Sequence, residues 1–233
     1  RQGVTIDDLL DFTPELRAEA IEIASDYRLG PLFTPISVIE EEGTKGTLVL
    51  PGSAGGANWP GGAFDPENGI LFVASTTSPS ALGLIHDPEL SNMRYIRGRG
   101  VRRRGRGGPQ GLPLIKPPWG RITAIDLNKG EELWMMPNAD APDDVKEHPA
   151  LVGVDIGRTG RPDRSGLLVT KTLLIAGEGS GLYAGTGGGG SMLRAHDKLT
   201  GEIIFEFELP ANQSGVPMTF MLPVEDALDG EPT

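Results

Sequence analysis

The chain has 233 residues, enough for one large all-β domain or two small ones, and a formal charge of −11. That acidic balance gives the molecule no general pull toward nucleic acid or anionic lipid. The absence of cysteine excludes disulfides, thiolate metal sites and cysteine nucleophiles. No apolar run reaches membrane-spanning length.

In chain order, residues 1–46 read as a helical lead-in. Thr5 to Asp8 has the form of a capping box, and Thr13-Pro14-Glu15 sets an N-cap, an N1 proline and an acidic first turn. Leu16, Ala20, Ile23 and Tyr27 then recur at helical spacing until Gly30-Pro31 stops the pattern. The opening Arg1-Gln2-Gly3 carries no initiator methionine, so the chain reads as the later part of a longer polypeptide.

From residue 47 the texture changes to short apolar runs between Gly, Asn, Asp and Pro turns. Strands are expected at 47–50, 70–75, 121–126, 132–136, 167–170, 172–176, 192–196 and 203–209. Two stretches interrupt them. One is a long basic loop at 76–118, with seven arginines between 94 and 106; the other is a glycine-rich run at 177–190. The arginine-glycine spacing is reminiscent of RNA-binding segments, but Tyr95 alone supplies an aromatic, and the loop reads as a solvated insertion. A docking loop for an acidic electron acceptor is a further reading. The glycine run is followed by no Lys-Ser/Thr and opens no helix, so it is not a phosphate loop. Residues 223–233 form an acidic tail.

An internal repeat organises the strands. Ala124, Asp126, Gly130 and Trp134 match Ala195, Asp197, Gly201 and Phe205, each pair 71 residues apart. The pattern describes a hairpin. Asp caps the turn through backbone N–H groups two residues on, Gly takes the positive-φ position, and the return strand carries an aromatic. A two-strand segment precedes each unit, and two hairpins make one four-stranded propeller blade.

These residues also carry a resemblance. The Ala124-Asp126-Gly130-Trp134 unit resembles the aromatic docking motif of the pyrroloquinoline quinone (PQQ) dependent dehydrogenases. Gly55 to Phe64-Asp65-Pro66, Pro118-Trp119-Gly120-Arg121 and Leu209-Pro210 to Pro217-Met218-Thr219 are similar to segments of the same family. The resemblance runs from residue 1 to about residue 220 and is nearest to the glucose and general alcohol dehydrogenases.

It implies an all-β fold, a partial β-propeller of about three blades from an eight-bladed ring, with residues 47–222 as C-terminal blades. It implies oxidation of a sugar or alcohol substrate by hydride transfer to PQQ, with Ca²⁺ as Lewis acid and an aspartate as base. The base and the Ca²⁺ ligands are expected in blades upstream of residue 1, so the chain alone is expected to be inactive. Asn58 aligns with an asparagine that hydrogen-bonds PQQ in the family, and Trp59 is expected beside the cofactor; a turn asparagine and a core aromatic are the alternatives. Arg164 is a weaker candidate partner for a PQQ carboxylate. His86, His148 and His196 show no metal-ligand spacing. The acceptor is expected to be a quinone or cytochrome and the location periplasmic, with membrane association left open. Phe205 in place of tryptophan, and a proline-bearing tail in place of a closing strand, depart from the family pattern. Two alternatives remain: a non-catalytic propeller scaffold or binding protein, and a nucleic-acid binder built on the arginine loop.

Overall fold

The structure is a computed structural model of the chain, describing residues 2–58, 61–98, 107–181 and 188–221. Trp59, most of the arginine cluster, the centre of the glycine run and the acidic tail lie outside the described residues.

The lead-in contains a 3-10 turn at Ile6–Asp8 and helix α1, Pro14–Ser25. The backbone N–H and hydroxyl of Thr5 both donate to the Asp8 carboxylate, at 2.9 and 2.8 Å. The Thr13 hydroxyl accepts from the Leu16 N–H at 3.2 Å, and Pro14 sits where a missing N–H costs nothing. Leu16, Ala20, Ile23 and Ala24 point inward from α1. They share one core with Val4, Leu9, Leu112, Ile115, Trp119, Val145 and Leu151. The lead-in is therefore anchored on two later loops. Trp119 fixes that junction, donating from Nε1 to the Ile115 carbonyl at 2.7 Å and meeting the Phe12 ring edge-on.

The strands follow as β1 (Thr47–Val49), β2 (Gly62–Asp65), β3 (Ile70–Thr76), β4 (Ser80–Leu82), β5 (Leu84–Ile85), β6 (Ile96–Arg97), β7 (Gly120–Asp126) and β8 (Glu131–Pro137). A one-turn helix α2 (Asp143–Lys146) precedes β9 (Leu167–Val169), β10 (Leu173–Gly177), β11 (Met192–Asp197) and β12 (Ile203–Glu208). Two antiparallel four-stranded sheets result, ordered β2-β3-β7-β8 and β9-β10-β11-β12. Each is one blade, and the chain is a partial propeller. Two complete blades form among the described residues, beside the expectation of about three. The remaining strands form only two-stranded ribbons, β1 with β4 and β5 with β6.

The repeat holds down to its irregularities. Ala124 faces Trp134 and Ala195 faces Phe205, and in both blades the register shifts immediately after the alanine. Asp126 caps the N–H groups of Asn128 and Lys129; Asp197 caps those of Leu199 and Thr200. Gly130 and Gly201 close these turns at φ +73 and +79, where only glycine is unstrained. Asp65 and Gly69 build the same turn between β2 and β3.

One face of the first blade packs on the second. Ile70, Phe72, Ala74, Ile122 and Ala124 meet Leu167, Leu174 and Ala176, with Trp134 and Val169 at the margin. Strand periodicity explains the selection, because alternate residues of β3 and β7 are buried and the others are half-exposed. At one end of the seam, Lys198 Nζ lies 2.7 Å from Asp65 Oδ2, both nearly buried. Within the described residues no helix is long and apolar enough to cross a membrane.

Candidate cofactor site

The pairing puts the two ends of each blade to different uses. Tight Asp-Gly turns join β2 to β3, β7 to β8 and β11 to β12 at one end. All the long connections leave from the other: residues 50–61, 77–119, 138–166 and 178–191. Strand β9 packs against β2 and β3, so the first strands of both blades lie together along one edge. The segments entering those strands, 50–61 and 163–166, come from the loop end of that shared edge. Loops carried on a rigid sheet are where binding groups concentrate.

Asn58 is on the first of these segments, four residues before β2. Its Nδ2 donates to the Ala54 carbonyl at 3.0 Å, and its own carbonyl accepts from the Gly61 N–H at 2.8 Å. The side chain thus closes a turn, as the plain reading of a glycine-flanked asparagine requires. Gly56 ties that turn to the blade, its carbonyl accepting from the Thr76 N–H at 3.0 Å. Trp59 lies outside the described residues.

Asp163 takes the corresponding place four residues before β9 and is buried. Its carboxylate accepts from the Arg164 N–H at 2.7 Å and the Gly181 N–H at 2.5 Å. That clasp holds the start of the glycine-rich connection against the entry to β9. A second clasp lies beside it. Asn138 Nδ2 donates to Ser165 Oγ at 2.8 Å and to the Gly177 carbonyl at 3.0 Å, and Ser165 Oγ donates to the same carbonyl at 2.8 Å. Asn138 Oδ1 is buried without a hydrogen-bond partner in the protein. These residues are separated by up to 39 positions and carry no motif, so sequence reading passed over them.

Arginines also collect at this end, each held by neighbours. Arg121 donates to Ser75 and Thr77 hydroxyls at 3.1 and 2.8 Å. Arg161 pairs with Asp143 at 2.7 Å. Arg194 is buried between Glu178 at 2.5 Å and Glu206 at 2.6 Å. Burial opposes the Arg194 charge, but the two carboxylates outweigh it and raise its pKa further. His196 lies in the seam with Nδ1 3.1 Å from the Gly201 carbonyl, and burial lowers its pKa. His86 and His148 bind backbone carbonyls of Arg94 and Gln110. The histidines therefore serve packing and turns.

The family described as PQQ glucose/ethanol/alcohol dehydrogenase, β-propeller domain, matches residues 1–227. The chain belongs to that family. As a quinoprotein dehydrogenase propeller it is 27% identical to a quinate/shikimate dehydrogenase (quinone) of Acinetobacter baylyi, over 78% of this chain and 23% of that one. A glycerol dehydrogenase large subunit of Gluconobacter thailandicus is 28% identical, over 81% and 27%. The quinoprotein glucose dehydrogenase of Escherichia coli is 28% identical, over 81% and 24%. The chain spans about a quarter of the length of these curated relatives.

At the shared edge, Asn58 has side-chain chemistry compatible with a quinone oxygen. An amide both donates and accepts, which suits a quinone oxygen. Beside it, a Cβ placed on Gly55 would meet nothing closer than 3.7 Å, so the turn leaves room for close approach. Among the described residues no group of His, Asp and Glu side chains has metal-ligating geometry.

Proposed function

We propose that the chain is the C-terminal part of a periplasmic PQQ-dependent dehydrogenase that oxidises a sugar or alcohol, with electrons passing on to a quinone or cytochrome. The observation that carries this reading is the family match over nearly the whole chain, joined to a propeller geometry that sends every long connection to one end. When bound, PQQ supplies a two-electron acceptor that proteins lack among their side chains. The role of this chain is to build part of its seat. Asn58 offers its amide from the glycine turn, sharing it with the Ala54 carbonyl, and Trp59, the next residue in the sequence, is assigned the place beside the cofactor. The Asp163 and Asn138 clasps hold the neighbouring segment still, so the seat needs little reorganisation on binding. Ca²⁺, its ligands and the catalytic base are assigned to blades upstream.

The test is a PQQ titration of the complete apo-protein in Ca²⁺, comparing Asn58→Ala with Asn68→Ala. Asn68 bonds Asp65 at the opposite, turn end of the blade. Losing one polar contact to a buried quinone oxygen costs on the order of 1–3 kcal/mol, or about one to two decades in affinity. Equal affinity in the two variants would make Asn58 a turn residue only.

A further inference from the structure

We propose that a cleft at the loop end of the second blade is a binding site for a neutral polyhydroxylated ligand, a sugar or sugar alcohol, separate from the Asn58 turn. The cleft has a volume of about 400 Å³, within the ordinary range of small-molecule sites. It is built on the ends of β10, β11 and β12 and on the 138–166 connection. The Asn58 turn instead leads into β2, which packs beside β9. In the order β9-β10-β11-β12, β11 lies two strands, about 10 Å, from that shared edge.

The deepest part of the lining is charged. Glu178 and Arg194, 5% and 3% exposed, pair there, and Arg194 is also held by Glu206. Arg161 adds a second guanidinium, fixed by Asp143 at 2.7 Å and by the Gly189 carbonyl at 3.2 Å. Gly190 lets the backbone close on Glu178, because a Cβ there would collide with that carboxylate. Its N–H donates to the Gly179 carbonyl at 3.2 Å. Ser191, Glu208 and Asn212 complete the polar lining, with Ser191 Oγ donating to Glu208 at 3.3 Å. These groups hold one another in place before any ligand arrives, so ordering them costs binding little.

The chemistry of the lining selects the ligand. Guanidinium groups donate, carboxylates accept, and the Ser191 hydroxyl and Asn212 amide do both. Hydroxyl groups are their counterpart, since each donates and accepts at once. An anion would meet Asp143, Glu178 and Glu208. A cation would find Asp143 and Glu178 already paired with arginines, and Asp140 paired with Lys146 and Arg158. A flat apolar ligand has no ring to stack on, because Met192 is the sole apolar side chain among the described residues of the lining. A monohydric alcohol would satisfy one or two groups and leave the rest to water. The site does not need PQQ.

The test uses the complete protein prepared without PQQ. D-glucose and D-sorbitol are titrated, and binding is followed by ligand-observed saturation-transfer NMR. Saturable binding of both is expected. Glu208→Ala combined with Asn212→Ala removes two polar contacts at exposed positions, so the fold should hold, as circular dichroism checks. Affinity should fall by at least about fivefold in that double variant and stay unchanged in Asn58→Ala. D-glucosamine and D-glucuronate, the cationic and anionic counterparts, should bind more weakly than glucose. No saturable binding, undiminished affinity in the double variant, or tighter binding of either charged sugar overturns the proposal. A loss confined to Asn58→Ala also overturns it, and puts the sugar at the cofactor turn. Failure of the separate PQQ titration would leave this result standing, since no cofactor enters the measurement.

Discussion

At the scale of single residues, close backbone approach and buried charge set the strongest expectations. A Cβ on Gly120 would stand 1.9 Å from the Arg161 carbonyl oxygen, and backbone cannot rotate aside as a side chain can. Gly120→Ala should therefore lower unfolding stability by about 1–3 kcal/mol or more. Gly215→Ala, where a Cβ meets nothing within 4 Å, should be close to neutral in the same denaturant titration. His196 gives a pH dependence. Burial lowers its pKa from the ordinary 6.5, with Arg158 and Arg194 adding to the effect against the Gly201 carbonyl and Glu206. The folded protein then holds a neutral ring while the unfolded chain takes a proton below about pH 6.5. This group's contribution is fully present above that pH and is lost as pH falls toward the lower folded value. Melting temperature should drop between pH 7.5 and 5.5, and less steeply in His196→Gln. The carboxylates of Asp65, Asp126 and Asp197, all held low, act in a separate window below their ordinary 3.8.

At the scale of elements, the two blades are joined by an apolar face, the Trp134 ring over the Gly201 turn and the Lys198–Asp65 contact. Burial pushes the Asp65 carboxyl up, but Lys198, the Asn68 amide and the Glu67 N–H outweigh it and hold it low. Lys198→Met should leave that carboxylate nearly buried with its cation gone. A loss of about 3 kcal/mol is expected for breaking such a pair. Lys198→Met combined with Asp65→Asn should recover part of it, which a double-mutant cycle measures. The hairpins themselves were legible in the sequence. Asp126 to Gly130 and Asp197 to Gly201 are local devices, in which a carboxylate, two N–H groups and one positive φ suffice. All eight expected strands formed within a residue or two of their expected ends. The lead-in helix was legible for the same reason, since Thr13, Pro14 and the Leu16 stripe act within a few turns.

At the scale of the whole molecule, the described residues hold two complete blades. Propellers close with about 4–8 blades, so the purified chain, supplied with PQQ and Ca²⁺, should show no dye reduction with glucose or simple alcohols. Cofactor-dependent turnover by residues 1–233 alone would contradict the proposed division of labour. The sequence by itself determined the strands, the 71-residue repeat, the glycine turns and the family. Each is written in neighbouring residues or in the recurrence of a local pattern. Tertiary structure alone decided that β1 joins β4 in a ribbon, so that two complete blades form among the described residues. It alone brought Asn138, Ser165 and Gly177 into one clasp and Asp163 against Gly181, and it alone showed Trp134 seated on Gly201 while Phe205 stays exposed. Those outcomes depend on which sheet faces which, and that choice is made by burying the Phe72, Ile122 and Leu174 faces against each other. Burial of apolar area is non-directional and acts between segments far apart in the chain, so no local spacing announces where it will bring polar groups together.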